Sequence, residues 1–271
     1  MTFLQSIVLG LVQGLTEFLP VSSSAHLIIV PWLLGWQEGG GLTFDMALHA
    51  GTLLAVLAYF HKDWLALSRA VLRLRWQHLM QPLSADGEIR LAFFLVVATV
   101  PAAILGVLFA EQIESTFRNP PLNAMMLAVM GVVLWLVDKK SRKNLTLEKM
   151  SLRQALFVGC LQGFALVPGV SRSGSTITAG LLLGFDRAAS ARFSFLLSFP
   201  IIAGACVFKL RHLQLANLDP VFWVGVVTSA TSGYLAIGGL LWFLKNRSYG
   251  VFAVYRIALS AVVFFTWWMG R

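Results

Sequence analysis

Charged side chains are scarce in this sequence. Only 12% of its 271 residues are Asp, Glu, Lys or Arg, whereas soluble globular domains carry about 25%. Hydrophobic residues make up 58% of the chain and its mean hydropathy is +0.77, which excludes a disordered segment and a long coiled coil. Collagen is excluded as well, because the 23 glycines follow no fixed period. We therefore expect an integral membrane protein.

Cysteine is almost absent, since the chain contains only Cys160 and Cys206. A disulfide scaffold is therefore excluded, and because both lie in apolar stretches we predict two small buried thiols. A cleavable signal peptide is not expected either, because residues 1–11 lack a basic segment and no cleavage site of small residues follows. The N-terminus is expected to stay in the mature protein.

Positive charge is in excess, with 21 Lys and Arg against 12 Asp and Glu. Nucleic-acid binding is not expected, because the basic residues lie in clusters between apolar segments and not along one face. The positive-inside rule places such clusters in the cytoplasm. Four clusters are predicted to be cytoplasmic: residues 62–90, 139–153, 187–192 and 245–256.

Six apolar segments are long enough to cross a bilayer, which takes about 20 residues. They cover residues 44–60, 91–110, 122–137, 193–208, 221–244 and 251–269. Two further apolar regions, 3–36 and 155–184, are interrupted by polar stretches, and their arms are too short to cross alone. We predict that both are re-entrant helical hairpins, which the basic clusters place on opposite sides of the membrane. Residues 64–79 are expected to form a helix at the headgroups.

An internal repeat joins the two interrupted regions. With an offset of 149 residues, Gln13, Gly14, Ser22 and Ser24 align with identical residue types in the second region. The charge distribution also gives the two halves opposite orientations. We predict one all-α membrane domain, residues 1–271, with inverted-topology repeats at about 1–150 and 151–271, and with its site near the membrane midplane, where the broken helices meet.

The interrupted regions also carry the polar residues that need an explanation. A charge at membrane depth costs about 2.5 to 3.5 kcal/mol on insertion scales, so Glu17 and Arg172 are expected to face each other, water or a ligand. Glu17 lies one helical turn after Gln13, and Ser23 and His26 follow Pro20 at a spacing that places them on one helical face. A structural ion pair between Glu17 and Arg172 is the alternative reading.

The second interruption has the composition of an anion site. Residues 168–176 read PGVSRSGST, where glycine and serine allow backbone N–H groups to converge and Arg172 offers a planar fork. A helix is predicted to begin directly after this stretch, and its N-terminus favours negative charge. Phosphate fits this stretch, as does another transported anion.

These two stretches, QGLTEFLPVSSSAH at 13–26 and PGVSRSGST at 168–176, closely resemble the signature motifs of the undecaprenyl-diphosphate phosphatase family, integral-membrane enzymes also known for bacitracin resistance. The first contains the family pattern Glu/Gln-x-x-x-Glu, then Pro-Val-Ser-Ser and a His; Gln13 stands where many members carry Glu. The second contains Pro-Gly-x-Ser-Arg-Ser-x-x-Thr.

The resemblance implies hydrolysis of undecaprenyl diphosphate to the monophosphate carrier lipid of cell-wall synthesis, at the outer side of the bacterial inner membrane. It also implies a divalent cation, Mg²⁺ or Ca²⁺, for which Glu17 is a candidate ligand. The expected partners are the polyprenyl diphosphate substrate and membrane lipid, and a homodimer is left open. A transporter or flippase for anionic polyprenyl lipids is the rival, because inverted repeats are typical of transporters.

Within this expectation, Ser23 attacks the terminal phosphorus, with Glu17 as base or metal ligand and His26 as proton carrier or orienting group. The reverse assignment, with His26 as nucleophile, stays open. The expected catalytic residues are Glu17, Ser23, His26 and Arg172, and the expected substrate-binding residues are Gln13, Ser22, Ser171, Ser173 and Thr176. The other histidines, His49, His61, His78 and His212, are given no role.

Overall fold

The computed structural model describes residues 1–36, 41–72, 87–117, 119–209 and 218–270. Within these ranges the chain is helical, as predicted, and the only β-type pairing is a single bridge between Leu145 and Phe185. The helices of the first half are α1 (Phe3–Phe18), α2 (Ser23–Leu34), α3 (Gly41–Tyr59), α4 (His61–Leu72), α5 (Gly87–Phe117) and α6 (Pro120–Lys140). Those of the second half are α7 (Leu152–Gly163), α8 (Arg172–Leu182), α9 (Arg187–Lys209), α10 (Pro220–Phe243) and α11 (Gly250–Trp268).

The membrane-spanning helices agree with the predicted segments. Five helices of the described chain, α5, α6, α9, α10 and α11, are long and apolar enough to cross a bilayer. A sixth crossing is obtained when α3 and α4 are counted together, although the chain bends by 80° between them. The polytopic helix bundle with about six spans is confirmed. The predicted headgroup helix begins within α4, and its residues 73–79 lie outside the described ranges.

The two interrupted regions each form a pair of short helices. The first pair is α1 and α2. The second pair is α7 and α8, and a 3₁₀ turn at Phe164–Leu166 lies between them. A helix of 12 residues is about 18 Å long, well short of the roughly 30 Å of the hydrocarbon core. The helices of each pair pack against each other. We call α1 with α2 the first hairpin and α7 with α8 the second hairpin.

The two halves of the chain pack in corresponding ways. Helix α1 packs along α10, as α7 packs along α5, and α6 and α11 pack against each other. Glycines at the same repeat position permit both contacts: a Cβ on Gly10 would lie 2.8 Å from Cβ of Thr228 on α10, and a Cβ on Gly159 would overlap the backbone of Ala98 on α5. These matches are what an internal repeat requires, while its bounds and the opposite orientation of the halves stay predictions.

Two sequence-based interpretations are wrong. Cys160 is exposed and Cys206 is only half-buried, because the outer face of a membrane helix is apolar and an apolar stretch therefore does not imply burial. Arg256 was counted with a cytoplasmic cluster, yet it lies inside α11 and is 0% exposed. Arg256 also falls within the predicted span 251–269, so the charge count assigned to the loop an arginine that belongs to a membrane helix.

Candidate active site

Both hairpins turn at a serine with an unusual backbone. Ser22 precedes α2 with φ = 74° and Ser171 precedes α8 with φ = 78°, and the two occupy the same position in the predicted repeat. A positive φ costs a residue with a side chain about 1 to 3 kcal/mol, and such strain is concentrated at functional sites. The helix N-termini that follow, at Ser23 and Arg172, therefore lie at two matched turns.

Glu17 is the centre of a buried polar cluster between these turns. Its Oε1 accepts a hydrogen bond of 2.8 Å from Nη2 of Arg172, which joins the two hairpins through an ion pair. Its Oε2 accepts two more, from Oγ of Ser23 at 2.6 Å and from Nε2 of Gln13 at 3.0 Å. The Glu17 side chain is only 6% exposed, and a buried carboxylate needs such partners. The structure thus brings together four of the residues selected from the sequence.

Arg172 does not use all of its donors while it binds Glu17. Its Nη1 donates to the backbone carbonyl of Ser194 on α9 at 3.0 Å. Its Nε is buried and has no hydrogen-bond partner among the described residues. Because buried donors are normally paired, this N–H group needs an acceptor that the described residues do not supply.

Two serines tie the turns of the hairpins to each other. Oγ of Ser22 accepts a hydrogen bond of 3.2 Å from the N–H of Gly169. Oγ of Ser173 donates to the carbonyl of Leu19 at 3.0 Å. Each hairpin therefore uses a motif serine to bind the backbone of the other, so that the two turns hold each other in place.

Ser171 and Thr176 serve the start of α8. Oγ of Ser171 accepts a 3.0 Å hydrogen bond from the N–H of Gly174 and caps the helix. Oγ1 of Thr176 donates to the carbonyl of Arg172 at 2.9 Å and lies 2.6 Å from Oγ of Ser194. These hydroxyls shape the helix N-terminus, a place where backbone N–H groups and the helix dipole favour an anion.

His26 lies beside the cluster and is held at both ring nitrogens. Its Nδ1 is 2.7 Å from the carbonyl oxygen of Ser22, and its Nε2 is 2.7 Å from the hydroxyl of Tyr255. A carbonyl oxygen only accepts, so Nδ1 carries a proton and, in a neutral ring, Nε2 accepts from Tyr255. The rings of His26 and Tyr255 are also stacked, with centroids 5.7 Å apart.

Four residues at the site were not selected from the sequence. Ser194 and Tyr255 bind Arg172 and His26, Arg256 binds both turns, and His49 on α3 interacts electrostatically with Glu17. Tyr255 and Arg256 lie far along the chain from both motifs, and Ser194 lies on the next helix after the second motif, so only the fold brings these side chains to the site. His49 and Arg256 carry a detectable signal, because a histidine and an arginine inside the predicted spans 44–60 and 251–269 need an explanation.

The residues present fit a divalent cation that is held mainly by substrate oxygens. No group of three or more His, Cys, Asp or Glu side chains within the described ranges forms a metal cage. Oε1 of Gln13, however, is a buried amide oxygen without a hydrogen-bond partner, on the residue that binds Glu17. Mg²⁺ commonly takes one or two protein oxygens and completes its shell with phosphate and water.

Comparison with known proteins gives one family over nearly the whole chain. Undecaprenyl-diphosphatase of Moorella thermoacetica is 51% identical over all 271 residues of both chains. The proteins of the same name from Pelotomaculum thermopropionicum and Elusimicrobium minutum are 47% and 46% identical, over 97% and 98% of this chain and 96% and 98% of the relatives. None of these names describes a transporter. Residues 6–262 match the family described as bacitracin resistance protein BacA, and the chain belongs to this family.

Proposed function

We propose that this chain hydrolyses undecaprenyl diphosphate to undecaprenyl phosphate and inorganic phosphate, the activity named for its relatives. The contact between Ser23 and Glu17, beside the guanidinium of Arg172, is the feature that most supports this reaction. It joins a hydroxyl nucleophile, a base and an anion-binding group in one buried cluster. A transporter needs the anion-binding group but neither of the other two.

In the first step, Oγ of Ser23 attacks the terminal phosphorus while its proton passes to Oε2 of Glu17, 2.6 Å away. The bond from the terminal phosphorus to the bridging oxygen breaks, and undecaprenyl phosphate leaves. The reverse assignment, with His26 as nucleophile, is less well supported, because both of its ring nitrogens are engaged. We propose instead that His26 orients the start of α2 through the Ser22 carbonyl.

In the second step, water attacks the phosphorus of the phosphoserine and the bond to Oγ breaks. Glu17 returns its proton to Oγ, one proton of the water stays on the departing phosphate, and the other is released to solvent. Throughout both steps Arg172 stabilises the charge on the phosphoryl oxygens, with its free Nε as an additional donor. Electrostatics and positioning of this kind account for most of the catalysis in phosphoryl transfer.

Glu17 and Gln13 would hold a divalent cation together with oxygens of the diphosphate. Such an ion, Mg²⁺ or Ca²⁺, supplies charge neutralisation and orientation for the phosphate groups. The Glu17 carboxylate must be held in a fixed orientation for this role, and the hydrogen bonds that it accepts from Gln13 and Arg172 fix it.

The protein is membrane-bound, and we propose the bacterial inner membrane with the site open to the outer side. The first hairpin carries Glu17 and, by the positive-inside rule, enters from outside. A prenyl chain can then stay in lipid while its diphosphate reaches the turns of the hairpins. A homodimer stays a prediction, and light scattering of the purified protein would test it.

Phosphate release from undecaprenyl diphosphate by the purified protein, assayed with Mg²⁺ and with Ca²⁺, tests the reaction. With substrate labelled at the terminal phosphorus, denaturation in SDS at neutral pH, which preserves both phosphoserine and phosphohistidine, should trap phosphate on Ser23, and Ser23→Ala should remove both the label and the turnover. Ser68→Ala, which removes an exposed serine hydroxyl on α4 away from the cluster, is the control and is expected to keep both. Label on His26 would reverse the assignment of the nucleophile, and no release with either cation would refute the phosphatase.

A further inference from the structure

Arg256 is an arginine in the middle of the bundle whose side chain the proposed mechanism does not use. It lies in α11 and is 0% exposed, among the largest fully buried side chains of the described chain. A charge at such depth is costly and is rarely kept without a function.

The guanidinium of Arg256 binds both hairpin turns at once. Nη1 donates to the carbonyl of Pro20 in the first turn at 2.9 Å. Nη2 donates to the carbonyls of Gly169 and Val170 in the second turn, at 2.7 and 3.1 Å. Nε donates to the carbonyl of Leu127 on α6 at 3.1 Å. A single side chain therefore sets the distance between the two turns and fixes both to the bundle.

The positive charge of Arg256 is not neutralised within the described residues. All four of its hydrogen-bond acceptors are carbonyl oxygens, and no carboxylate in these ranges forms a salt bridge with it. Arg172, in contrast, is paired with Glu17. The site without substrate thus carries a net positive charge that comes from Arg256, and a bound diphosphate would neutralise it.

This charge lies directly behind the start of α8. A Cβ placed on Gly174, in the first turn of that helix, would be 3.0 Å from Nη1 of Arg256. Because C=O and N–H point in opposite directions in a trans peptide, binding the Val170 carbonyl turns the N–H of Ser171 away from Arg256. No backbone hydrogen bond between described residues uses this N–H group, so it is free to bind an anion at the helix N-terminus.

We propose that Arg256 is a positioning residue of the phosphate site, which aligns the two hairpin turns through their carbonyls and attracts the diphosphate through its unpaired charge. This role rests on the proposed diphosphate hydrolysis. It has two separable parts, since alignment requires the planar fork of arginine whereas attraction requires only a positive charge.

Arg256→Lys and Arg256→Gln separate the two parts. Lysine keeps the charge and loses the fork, so kcat should fall about tenfold or more while the Kd of inorganic pyrophosphate, measured by isothermal titration calorimetry, changes little. Glutamine loses both, so the Kd should rise about tenfold as well. Ser260→Ala, on the same face of α11 one turn further along, is the matched control, and its kcat and Kd should equal those of wild type.

Melting temperature and gel-filtration profile in detergent establish that each variant is folded. If Arg256→Gln does not fold, Arg256→Met takes its place in the binding test, and Arg256→Lys still tests the alignment. Wild-type kcat in folded Arg256→Lys would overturn the alignment. Unchanged pyrophosphate binding in the charge-free variant would overturn the attraction. Failure of the proposed function itself is a different result, namely no phosphate release by wild type.

Discussion

At the scale of single residues, the carboxylate of Glu17 is the acceptor on which three other side chains converge. In Glu17→Gln an amide replaces one acceptor oxygen with a donor, so the base is lost and Arg172 is left without its counterion. We expect turnover to fall by about 100-fold or more, the usual effect of removing a general base. Phosphate release by detergent-purified protein measures this, and near-normal turnover would make Glu17 a structural residue.

Arg172→Lys tests the planar fork without changing the charge. Lysine has one nitrogen, which cannot reach Glu17 and the Ser194 carbonyl in the geometry that Nη2 and Nη1 adopt. We expect turnover to fall by about 100-fold, comparable to the loss of one transition-state donor, with the melting temperature little changed. If this variant turns over at the wild-type rate, a point charge is sufficient and the fork has no role in the reaction.

Tyr255→Phe tests whether His26 must be oriented. The variant keeps the stacked ring, whose centroid lies 5.7 Å from that of His26, and removes only the hydroxyl that binds Nε2. The lost hydrogen bond should cost about 1 kcal/mol of stability. If His26 positions the start of α2, kcat should fall severalfold with KM unchanged, as measured by initial rates over a range of substrate concentrations. An unchanged kcat would make this contact purely structural.

At the scale of elements, the turn before α8 combines a helix cap with a strained backbone. Ser171→Gly should lose the cap at little cost, since glycine caps nearly as well, and should relieve the positive φ of 78°. Ser171→Ala loses the cap and keeps the strain, so we expect it to be less stable than the glycine variant by about 1 kcal/mol or more. Thermal unfolding in detergent compares the two, and equal melting temperatures would contradict strain at this turn.

The sequence was sufficient for the elements and for part of the site. Two polar interruptions in apolar regions predicted the two hairpins, because short arms cannot cross a bilayer. They also selected Glu17 and Arg172, for which the sequence left three partners open, namely each other, water or a ligand, and the structure pairs them. Contacts between distant helices could not be predicted in this way. Tyr255 and Arg256 lie in α11, more than 200 residues from the first motif, and only the packing of the bundle brings them to the turns. The 80° bend after α3 has no proline at its position, but the chain changes there from apolar to charged residues at His61, Lys62 and Asp63, where the predicted span ends. The size of the bend could not be predicted.

At the scale of the whole molecule, matching positions in the two halves carry different chemistry. Ser22 and Ser171 share the turn, while the next residues, Ser23 and Arg172, differ. In the proposed mechanism, the first hairpin supplies the nucleophile and base, and the second supplies the anion-binding group. Such a division needs the two hairpin turns close together, and Arg256 donates hydrogen bonds to both of them.

The orientation of the molecule in the membrane decides on which side the lipid is processed. We predict that the connection between α5 and α6, which contains Asn119, lies outside. The same prediction holds for Gln37 and Glu38, which lie outside the described ranges. Ser141 and Asn144 follow α6 on the predicted cytoplasmic side. Asn119 and Asn144 are both exposed loop asparagines and form a matched pair. In a background without Cys160 and Cys206, Asn119→Cys should react with a membrane-impermeant thiol reagent in intact cells.

Asn144→Cys should react with the same reagent only after the membrane has been broken, because the four basic residues from Lys139 to Lys143 predict a cytoplasmic loop. Labelling of both variants after lysis is the control for thiol reactivity. The reverse pattern would place the turn of the first hairpin, and with it Glu17, within reach of the cytoplasm only. Hydrolysis would then have to take place on the inner side of the membrane, and the outward-facing site would be wrong even if the chemistry of Ser23 and Glu17 is right.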